Sequence, residues 1–416
     1  QQPAASGKPA AEQGYRTTGI QDLALIYQGG SHRLDWTVDE FRPYVVHRFA
    51  DGSKDWLFDG FLFLEFKDGS GRNYTVGYEK LNARRTEWEW LLDRIFEQGK
   101  SLSALDRCIG QEIKELGKPA FRHQIVLGLP EAIRGQKDWG KLDGREMDFS
   151  KEEDQIAATK WYIGELVERF KAAKYKHLEL SGFYWVAEDT HHCAELTIPL
   201  SEYIHSEGKL FYWIPYWQAK GHEEWKRLGF DVAYQQPNHF FNHSIPDSRL
   251  DEACATARRH GMAMEFEFDE KATAAIPNSS YDRMVAYIDH FEKNDVFNSS
   301  AVAYYCGNRG VLTLDESDNP KDKALMDRLA RIIQARRYLK YGIPMKNKTR
   351  VVAHRGFWHT DGSAQNSIAS LLKADQLGVY GVEFDVWMAS DGVPVLNHDG
   401  WHDGYEVQST PSTVLT

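Results

Sequence analysis

The chain has 416 residues, of which 42% are hydrophobic and 27% are charged, a balance typical of a globular protein with a sizeable core. Its net charge of -11 argues against a nucleic acid or an anionic membrane surface as partner. The sequence contains no run of about 18 apolar residues, so no membrane span is expected, and its four cysteines form no CxxC pair, which argues against a disulfide framework or a zinc site.

The first residues, 1–14 (QQPAASGKPAAEQG), are small and polar and predict a flexible leader. They resemble what remains after a secretory signal is removed, so a secreted, periplasmic or cell-surface location is expected. Aromatic residues make up 13% of the chain, and aromatic clefts are common where carbohydrate is bound.

From the leader to about residue 341, apolar strands alternate with amphipathic helices. Thr86 and Glu89 predict a helix start by their spacing, and a second helix ends at Gly117. Further helices are expected at residues 150–174, 194–205, 223–227, 249–260, 281–293 and 321–341. Strands are expected at 24–28, 57–65, 123–129, 178–185, 210–215, 231–236, 262–268 and 301–305.

Most of these eight strands are apolar on both faces and are separated by helices, which favours parallel pairing with both faces covered. Eight such units indicate an α/β protein with a (β/α)8 TIM barrel. Its first two units are irregular, and a β insertion is expected there. The predicted domains are the leader, a barrel at 15–344 and a further segment at 345–416.

Reactive groups of such barrels lie at the carboxyl ends of the strands. Glu188 follows the fourth predicted strand, and Glu267 closes the seventh. This arrangement resembles the retaining glycoside hydrolases of the largest barrel clan, which implies Glu188 as acid/base and Glu267 as nucleophile. Glu265 shares strand parity with Glu267, so both should point the same way. Alternatively, these acids are buried partners of basic residues or point outward to the helices.

Other side chains at the strand ends are candidates for binding a sugar. Aromatic rings suit the apolar face of a pyranose, and amides suit its hydroxyls. The candidates for substrate binding are Asp59, Trp185, Tyr216, Trp217, Gln235, Gln236, Asn238 and Tyr305. No cofactor is expected for the barrel.

The segments WLFDGFLFLEF, LELSGFYWVAE, LFYWIPYWQAKG, LGFDVAYQQPNHFF and GMAMEFEFD together resemble a bacterial family known as a domain of unknown function. The resemblance covers residues 15–342. It implies a glycosidase-like barrel, often found in secreted multidomain proteins.

A second set of motifs follows the basic stretch MKNKTR (345–350). The run HRG begins at His354, ExD spans Glu383 and Asp385, and HD begins at His398. In this order and spacing the motifs resemble the glycerophosphodiester phosphodiesterase family, which implies His354 and His398 as general base and acid and Arg355 as a phosphate ligand.

The same resemblance implies that Glu383 and Asp385 hold a hard cation such as Ca²⁺ or Mg²⁺. Gln365 stands where family members commonly have Glu, and the later metal-binding Glu of the family is absent. The segment is also much shorter than a barrel of ~250 residues. We therefore expect a truncated α/β segment, the start of a second barrel, that has no phosphodiesterase activity by itself. It is either a fragment of a longer protein or a vestige packed on the main barrel.

Three interpretations follow. The first is a hydrolase with a carbohydrate-active, retaining barrel fused to an incomplete, metal-dependent phosphodiesterase domain. The second is a non-catalytic carbohydrate-binding or scaffold barrel, with phosphodiester hydrolysis as the chemistry of the full-length protein. The third joins both halves on one glycerophosphoryl-glycan. The expected partner is a carbohydrate or glycerophosphodiester substrate, and the sequence indicates no particular oligomeric state.

Overall fold

Eight parallel strands form a closed barrel in the larger of two compact units, Gln1–Ile343 and Pro344–Thr416. A computed structural model describes residues 18–343, 350–360 and 362–415. The strands are β1 Asp22–Tyr27, β2 Gly60–Leu64, β3 His123–Leu129, β4 Leu178–Trp185, β5 Leu210–Trp213, β6 Val232–Gln235, β7 Ala263–Glu267 and β8 Val302–Tyr305. Because β1 pairs with both β2 and β8, the sheet has no free edge, and the predicted (β/α)8 barrel is confirmed.

Helices follow most of the barrel strands, as expected for parallel pairing. They are α1 Val38–Val45, α2 Arg85–Ile95, α3 Ser101–Leu116, α4 Glu152–Ala173, α5 Ala194–Ser206, α6 Ser248–His260, α7 Tyr281–Lys293, α8 Val296–Ser299, α9 Gly310–Glu316 and α10 Pro320–Tyr341. Single 3-10 turns lie at His222–Glu224 and Glu270–Ala272. The helix predicted at 223–227 is therefore wrong beyond that first turn.

Alternating strand residues build two separate cores. Inward-facing side chains such as Tyr184, Tyr212 and Tyr234 fill the barrel. Their outward-facing neighbours, including Trp185 and Trp213, pack between the barrel and the helices. Since successive strand residues point to opposite faces, one residue of difference decides whether a side chain can reach the barrel mouth.

A register shift in β4 depends on glycine. The pairing of β4 with β3 skips Ser181, so that Leu180 and Gly182 face consecutive residues of β3. A Cβ atom on Gly182 would lie 2.1 Å from the carbonyl oxygen of Leu210 on β5. The glycine lets β5 approach β4 closely. The bulge changes the direction in which the chain continues after β4.

The first two units depart from the regular pattern. A β insertion is present as an antiparallel hairpin of Val46–Arg48 and Lys54–Trp56 between β1 and β2. The helix α1 precedes it and was not predicted. Short pairs of Arg72–Asn73 with Leu81–Asn82 and of Lys141–Leu142 with Arg145–Glu146 lie in later loops.

Asp59 lies at the amino-terminal end of the barrel, because β2 begins only at Gly60. Its carboxylate accepts the backbone N–H groups of Gln21 and Asp22 at 3.0 and 2.8 Å and lies 3.6 Å from the Lys340 ammonium. The prediction that Asp59 binds substrate is therefore wrong: the strand starts three residues later than expected, which moves Asp59 to the end opposite the mouth.

The smaller unit contains short, paired strands. β9 Val352–His354 pairs in parallel with β10 Gly381–Glu383, and β11 Val386–Met388 pairs with β12 Pro394–Leu396 in an antiparallel hairpin. Two helices, α11 Ile368–Gln376 and α12 Ser412–Leu415, a hairpin of Trp401–His402 with Tyr405–Glu406 and a 3-10 turn at Val407–Ser409 complete it. The predicted α/β character of this segment is present.

Over the residues described, no helix is both long enough and apolar enough to cross a membrane. The predicted leader at 1–14 and most of the junction at 345–350 lie outside the described residues.

Candidate active site

A cavity of about 430 Å³ lies at the carboxyl ends of the barrel strands. Strand ends and the loops after them supply its lining: Leu25, Tyr27, Arg33, Phe66, Lys67, Tyr78, Tyr184, Glu188, Gln236, Asn238, Phe241, Glu265, Glu267 and Tyr305. Five of the residues predicted from the sequence are among them: Glu188, Gln236, Asn238, Glu267 and Tyr305.

Glu267 is the last residue of β7, and its side chain is 1% exposed. The carboxylate accepts hydrogen bonds from the Tyr287 hydroxyl and from the backbone N–H groups of Asn238 and His239 at 3.3 and 3.2 Å. The side-chain amide of Asn238 lies 3.5 Å from the same carboxylate. Four donors therefore converge on this one carboxyl.

Glu188 follows the end of β4 by three residues. One side-chain donor contacts its carboxyl, the Gln236 amide nitrogen at 2.9 Å. The Gln236 amide oxygen in turn accepts a hydrogen bond of 3.0 Å from the Asn238 amide, which reaches Glu267. Gln236 and Asn238 thus link the two acids through side chains.

Asn238 adopts the left-handed backbone conformation with φ of 49°, which asparagine tolerates better than most residues. Its amide oxygen accepts the backbone N–H of Trp217 at 2.5 Å. This fixes the amide so that its nitrogen faces Gln236 and Glu267.

The pKa of Glu188 is raised to about 7, by burial first and by the neighbouring charge of Asp189, while the Gln236 hydrogen bond opposes the rise. Burial likewise raises the pKa of Glu267 to about 7, against the hydrogen bonds from Tyr287, His239 and Asn238, and the charge of Glu188 adds to the rise. A pair of interacting carboxyls in this range holds one proton near neutral pH. The four donors stabilise the ionised form of Glu267, whereas one side-chain donor does so for Glu188.

Glu265 is a third carboxyl of the cavity, and the sequence analysis gave it no role. It lies two residues before Glu267 on β7, so both side chains point to the same face of the strand. The alternation Glu265–Phe266–Glu267 is the sequence pattern that indicated this position. Its side chain is buried, and no hydrogen-bond donor contacts its carboxyl among the residues described. Burial and the charges of Glu267 and Glu188 raise its pKa well above the ordinary value.

Aromatic rings line the mouth, although several differ from those predicted. Tyr305 packs edge-on against Tyr27 and Phe241 at ring distances of 5.6 and 5.3 Å. Tyr78 stacks on Phe66 at 4.6 Å. Since Tyr78 and Phe241 are exposed and come from long loops, no strand pattern in the sequence pointed to them.

A second cavity of about 280 Å³ adjoins the first, because Glu188 and Tyr78 line both. Tyr216, predicted to bind substrate, lines this second cavity and donates its hydroxyl to Asp189 at 3.1 Å. Glu131 lies opposite, held by the Thr75 hydroxyl at 2.7 Å. Glu188 therefore stands between two spaces, one of which also contains Glu267.

Three further predicted side chains do not reach either cavity. Trp185 points outward against Phe211 because it has the opposite parity to Tyr184. Trp217 packs against the helix-side core with the Arg249 guanidinium over its ring. Gln235 is buried and donates to the backbone carbonyls of Gln236 and Tyr216. Their prediction as substrate-binding residues is therefore wrong.

The motif residues of the smaller unit also come together. His354 and Glu383 occupy paired positions at the ends of β9 and β10, with the imidazole 3.8 Å from the carboxylate. The Arg355 guanidinium contacts Asp385 at 3.2 Å and the Gln365 amide oxygen at 2.9 Å.

Asn366 donates its side-chain amide to Asp385 at 3.0 Å, and this bond lowers the pKa of the Asp385 carboxyl, with the nearby charges of Arg355, His398 and His354 adding to the effect. The imidazole of His398 contacts Asp399 at 2.9 Å. His354, Arg355 and Glu383 thus share one corner with Asp385.

Two carboxylates of this corner, Glu383 and Asp385, have the oxygen chemistry that a hard divalent cation requires. Such a cation takes at least six oxygen ligands, so phosphate oxygens and water would supply the others. Among the residues described, one group alone brings three ligand atoms within 4.8 Å of one another, and it is His222, Glu223 and His260 of the barrel unit.

Comparison with known proteins gives a family match for each unit. The model of the family described as Domain of unknown function (DUF4855) matches residues 22–331, and that of the Glycerophosphoryl diester phosphodiesterase family matches residues 354–410. Glycerophosphodiester phosphodiesterase 1 of Rattus norvegicus is 38% identical over 71 residues, which are 17% of this chain and 20% of that protein. The chain thus spans about a fifth of the length of the curated relatives it matches.

Two solved structures are similar to parts of the chain. A glycerophosphodiester phosphodiesterase from Parabacteroides distasonis is 49% identical over 17% of this chain and 30% of its own, with a TM-score of 0.17. A putative alpha-L-fucosidase from Bacteroides thetaiotaomicron covers 76% of this chain and 94% of its own at 13% identity, with a TM-score of 0.40. The fold assignment rests on the closed hydrogen-bonded barrel and not on these values.

Proposed function

The chain belongs to the family described as Domain of unknown function (DUF4855), and from this premise we propose that its barrel is a retaining glycoside hydrolase. One observation carries the proposal: Glu188 and Glu267 line one cavity and are joined through Gln236 and Asn238. One carboxyl with a single side-chain donor and one with four is the asymmetry that an acid and a nucleophile require.

In the first step, a carboxylate oxygen of Glu267 forms a bond to the anomeric carbon while the glycosidic C–O bond breaks. The departing oxygen takes the proton of Glu188, so the leaving group departs as a neutral alcohol. The donors from Tyr287, Asn238 and His239 keep Glu267 ionised until this bond forms.

In the second step, the ionised Glu188 takes a proton from water, and the water oxygen attacks the anomeric carbon. The bond to Glu267 breaks, its carboxylate is restored, and the sugar leaves with the configuration it had in the substrate. In this scheme the sugar that is attacked occupies the cavity of Glu267, and the leaving group occupies the cavity of Tyr216 and Glu131.

The test is hydrolysis of a panel of aryl glycosides, with the first anomer released identified by proton NMR. We expect the retained anomer, and we expect Glu267→Gln to lower kcat by at least the 10²–10⁴-fold typical of a lost catalytic group. The matched control is Glu202→Gln, a change at an exposed residue of α5. Release of the inverted anomer would contradict the retaining mechanism. Sugar binding without turnover would favour a non-catalytic barrel.

A second function is favoured by the corner formed by His354, Arg355, Glu383 and Asp385. We propose that residues 350–415 contribute the phosphate-binding part of a glycerophosphodiester phosphodiesterase. Glu383 and Asp385 would hold a Ca²⁺ or Mg²⁺ ion, which would neutralise charge on the phosphodiester oxygens. Arg355 would bind the same oxygens, and His354 and His398 would transfer protons.

This second proposal is tested by calorimetric titration of the chain with Ca²⁺ and Mg²⁺ in the presence of glycerophosphocholine. The double change Glu383→Gln and Asp385→Asn should abolish the cation-dependent heat, because both carboxylates are lost. Asp375→Asn, at an exposed position of α11, is the control. Equal cation binding by the double variant and the control would contradict the assignment.

A further inference from the structure

The cavity of the barrel contains one more carboxyl group than a catalytic pair needs. Glu188, Glu265 and Glu267 line it together. Among the residues described, none of the three has a salt bridge to a lysine, arginine or histidine. A retaining mechanism needs one protonated carboxyl as the acid and one ionised carboxyl as the nucleophile. Glu265 is therefore a third carboxyl that this mechanism does not require.

The two basic residues that line the cavity are already paired outside the acidic group. Arg33 holds Glu65 through two hydrogen bonds of 3.0 Å. The Lys67 ammonium lies 3.6 Å from Glu79. Neither pair leaves a surplus positive charge in the cavity, so the described residues supply no cation that would let Glu265 ionise.

Glu265 also lies farther than Glu267 from the carboxyl end of β7. It lies two residues before Glu267 on β7, which corresponds to about 7 Å along the strand toward the barrel interior. Its side chain is 3% exposed, and no described donor contacts its carboxyl. A buried carboxyl without a partner is costly, and a proton or a bound cation removes the cost.

The three acids are not grouped as the ligands of one metal ion would be. Among the described residues, His222, Glu223 and His260 have ligand atoms that all lie within 4.8 Å of one another. Glu188, Glu265 and Glu267 do not form such a group. The cavity of about 430 Å³ has room for a sugar ring. An ammonium group carried on that ring would reach Glu265 while the anomeric carbon faces Glu267.

We infer that the barrel selects an amino sugar with a free, positively charged amine, and that Glu265 is the residue that binds the ammonium. This inference rests on the proposed glycoside hydrolase function and narrows its substrate class. The ammonium would form a charge-assisted hydrogen bond with Glu265. An N-acetyl group would bring no charge and more volume to the same place.

The test compares matched nitrophenyl glycosides of hexosamines, with the free amine, the N-acetyl group or a hydroxyl at carbon 2, in both anomers. The unchanged chain should hydrolyse the free-amine glycoside with the highest kcat/KM. Glu265→Gln has nearly the same shape and removes the charge. The ratio of kcat/KM for the amine over the hydroxyl analogue should fall about tenfold to hundredfold, and Glu202→Gln should keep the ratio of the unchanged chain.

Binding of glucosamine, N-acetylglucosamine and glucose to the unchanged chain, measured by calorimetry, separates the possible failures. Equal or better turnover of the neutral glycosides, with a ratio unaffected by Glu265→Gln, would overturn the inference and leave glycoside hydrolysis standing. Preferred binding of glucosamine without turnover of any glycoside would overturn the hydrolase function and leave the amine-binding role of Glu265 standing. Absence of both turnover and preferred binding would overturn both.

Discussion

Four donors contact Glu267, and one side-chain donor contacts Glu188, so hydrogen bonding stabilises the ionised form of Glu267 more than that of Glu188. Since burial raises the pKa of each to about 7, the pair exchanges its protons in the range where the reaction would operate. Activity needs one proton on the pair: with two, the nucleophile is neutral, and with none, the acid is missing. We therefore predict a bell-shaped dependence of kcat/KM on pH, with apparent pKa values that belong to the pair.

The Tyr287 hydroxyl should control the acidic limb of that profile. Tyr287→Phe keeps the ring, which packs on Phe266 and Phe291, and removes a donor to the Glu267 carboxylate. Because this bond lowers the pKa of Glu267, its loss should move the acidic limb to higher pH by about 1–2 units. The control is Tyr162→Phe, whose buried hydroxyl has no described partner. An acidic limb that stays in place would contradict the role of Tyr287.

The same acids should lower the free energy of unfolding as the pH rises toward neutral. The pKa of Glu267 is about 7 in the folded chain against an ordinary value of 4.5, so the folded state binds more protons than the unfolded state between these values. Stability should therefore fall as pH rises from about 4.5 to about 7, by on the order of 3 kcal/mol for this carboxyl alone. Glu267→Gln should flatten this fall in chemical denaturation, and Glu202→Gln should retain it. An equally steep fall of stability with pH in both variants would contradict the assignment of this fall to the Glu267 carboxyl.

Among the secondary-structure elements, α10 is held against the amino-terminal end of the barrel by a buried arginine. The Arg336 guanidinium contacts Asp22 at 3.1 Å and donates to the backbone carbonyls of Ser300, Gln21 and Phe297. Asp22 is the first residue of β1 and Gln21 precedes it, while Phe297 lies in α8 and Ser300 lies between α8 and β8. One side chain thereby closes the first and last strands onto the final helix of the unit.

Arg336→Leu should lower the free energy of unfolding by about 3–5 kcal/mol, because it leaves Asp22 as a buried charge without its partner. Arg328→Leu on the same helix removes an exposed ion pair with Asp289 and should cost about 1 kcal/mol or less. Urea denaturation of both variants measures the difference. A similar small loss in both would show that the buried contact does not hold α10 in place.

The strand pattern was sufficient to predict the barrel and to place two acids at its mouth, because parity and strand ends are local properties of sequence. It placed Glu267 and Glu188 at the mouth, yet it misplaced Asp59 through an error of three residues at the start of β2. Trp185 was assigned to the mouth although Tyr184, one residue earlier, is the inward-facing side chain. Tyr287 could not be found this way, because a helix 20 residues beyond Glu267 delivers it.

The helix α1 shows a signal that was present and overlooked. Its residues include Pro43, Tyr44 and Val45, which do not favour a helix interior. Thr37 and Glu40 nevertheless form a capping box, and Tyr44 and Val45 are buried against the core. Capping and tertiary burial together outweigh the local preference for a strand.

At the scale of the whole molecule, the two units differ in the size of their cores. The barrel unit buries a large aromatic and aliphatic core, whereas the cluster of fully buried residues in the smaller unit consists of Ala389, Val407 and Leu415. Several apolar side chains of the smaller unit are exposed, among them Val352, Leu372 and Val386.

We therefore expect backbone amides of residues 350–415 to exchange hydrogen faster than those of the barrel strands, since fewer buried contacts oppose local opening. Hydrogen exchange followed by mass spectrometry measures both regions in one sample. Equal protection of β9 and of barrel strand β3 would contradict the expected difference in stability.

In the proposed reaction, Glu267 forms a bond to the sugar while Glu188 supplies the proton. The most direct measurement is mass spectrometry of peptides after reaction with a 5-fluoro glycoside, which slows hydrolysis of the glycosyl–enzyme intermediate. We expect one added glycosyl group on the peptide that contains Glu267, and no such group in Glu267→Gln. A label on another residue, or turnover of the parent glycoside with no covalent intermediate and an inverted product, would contradict it.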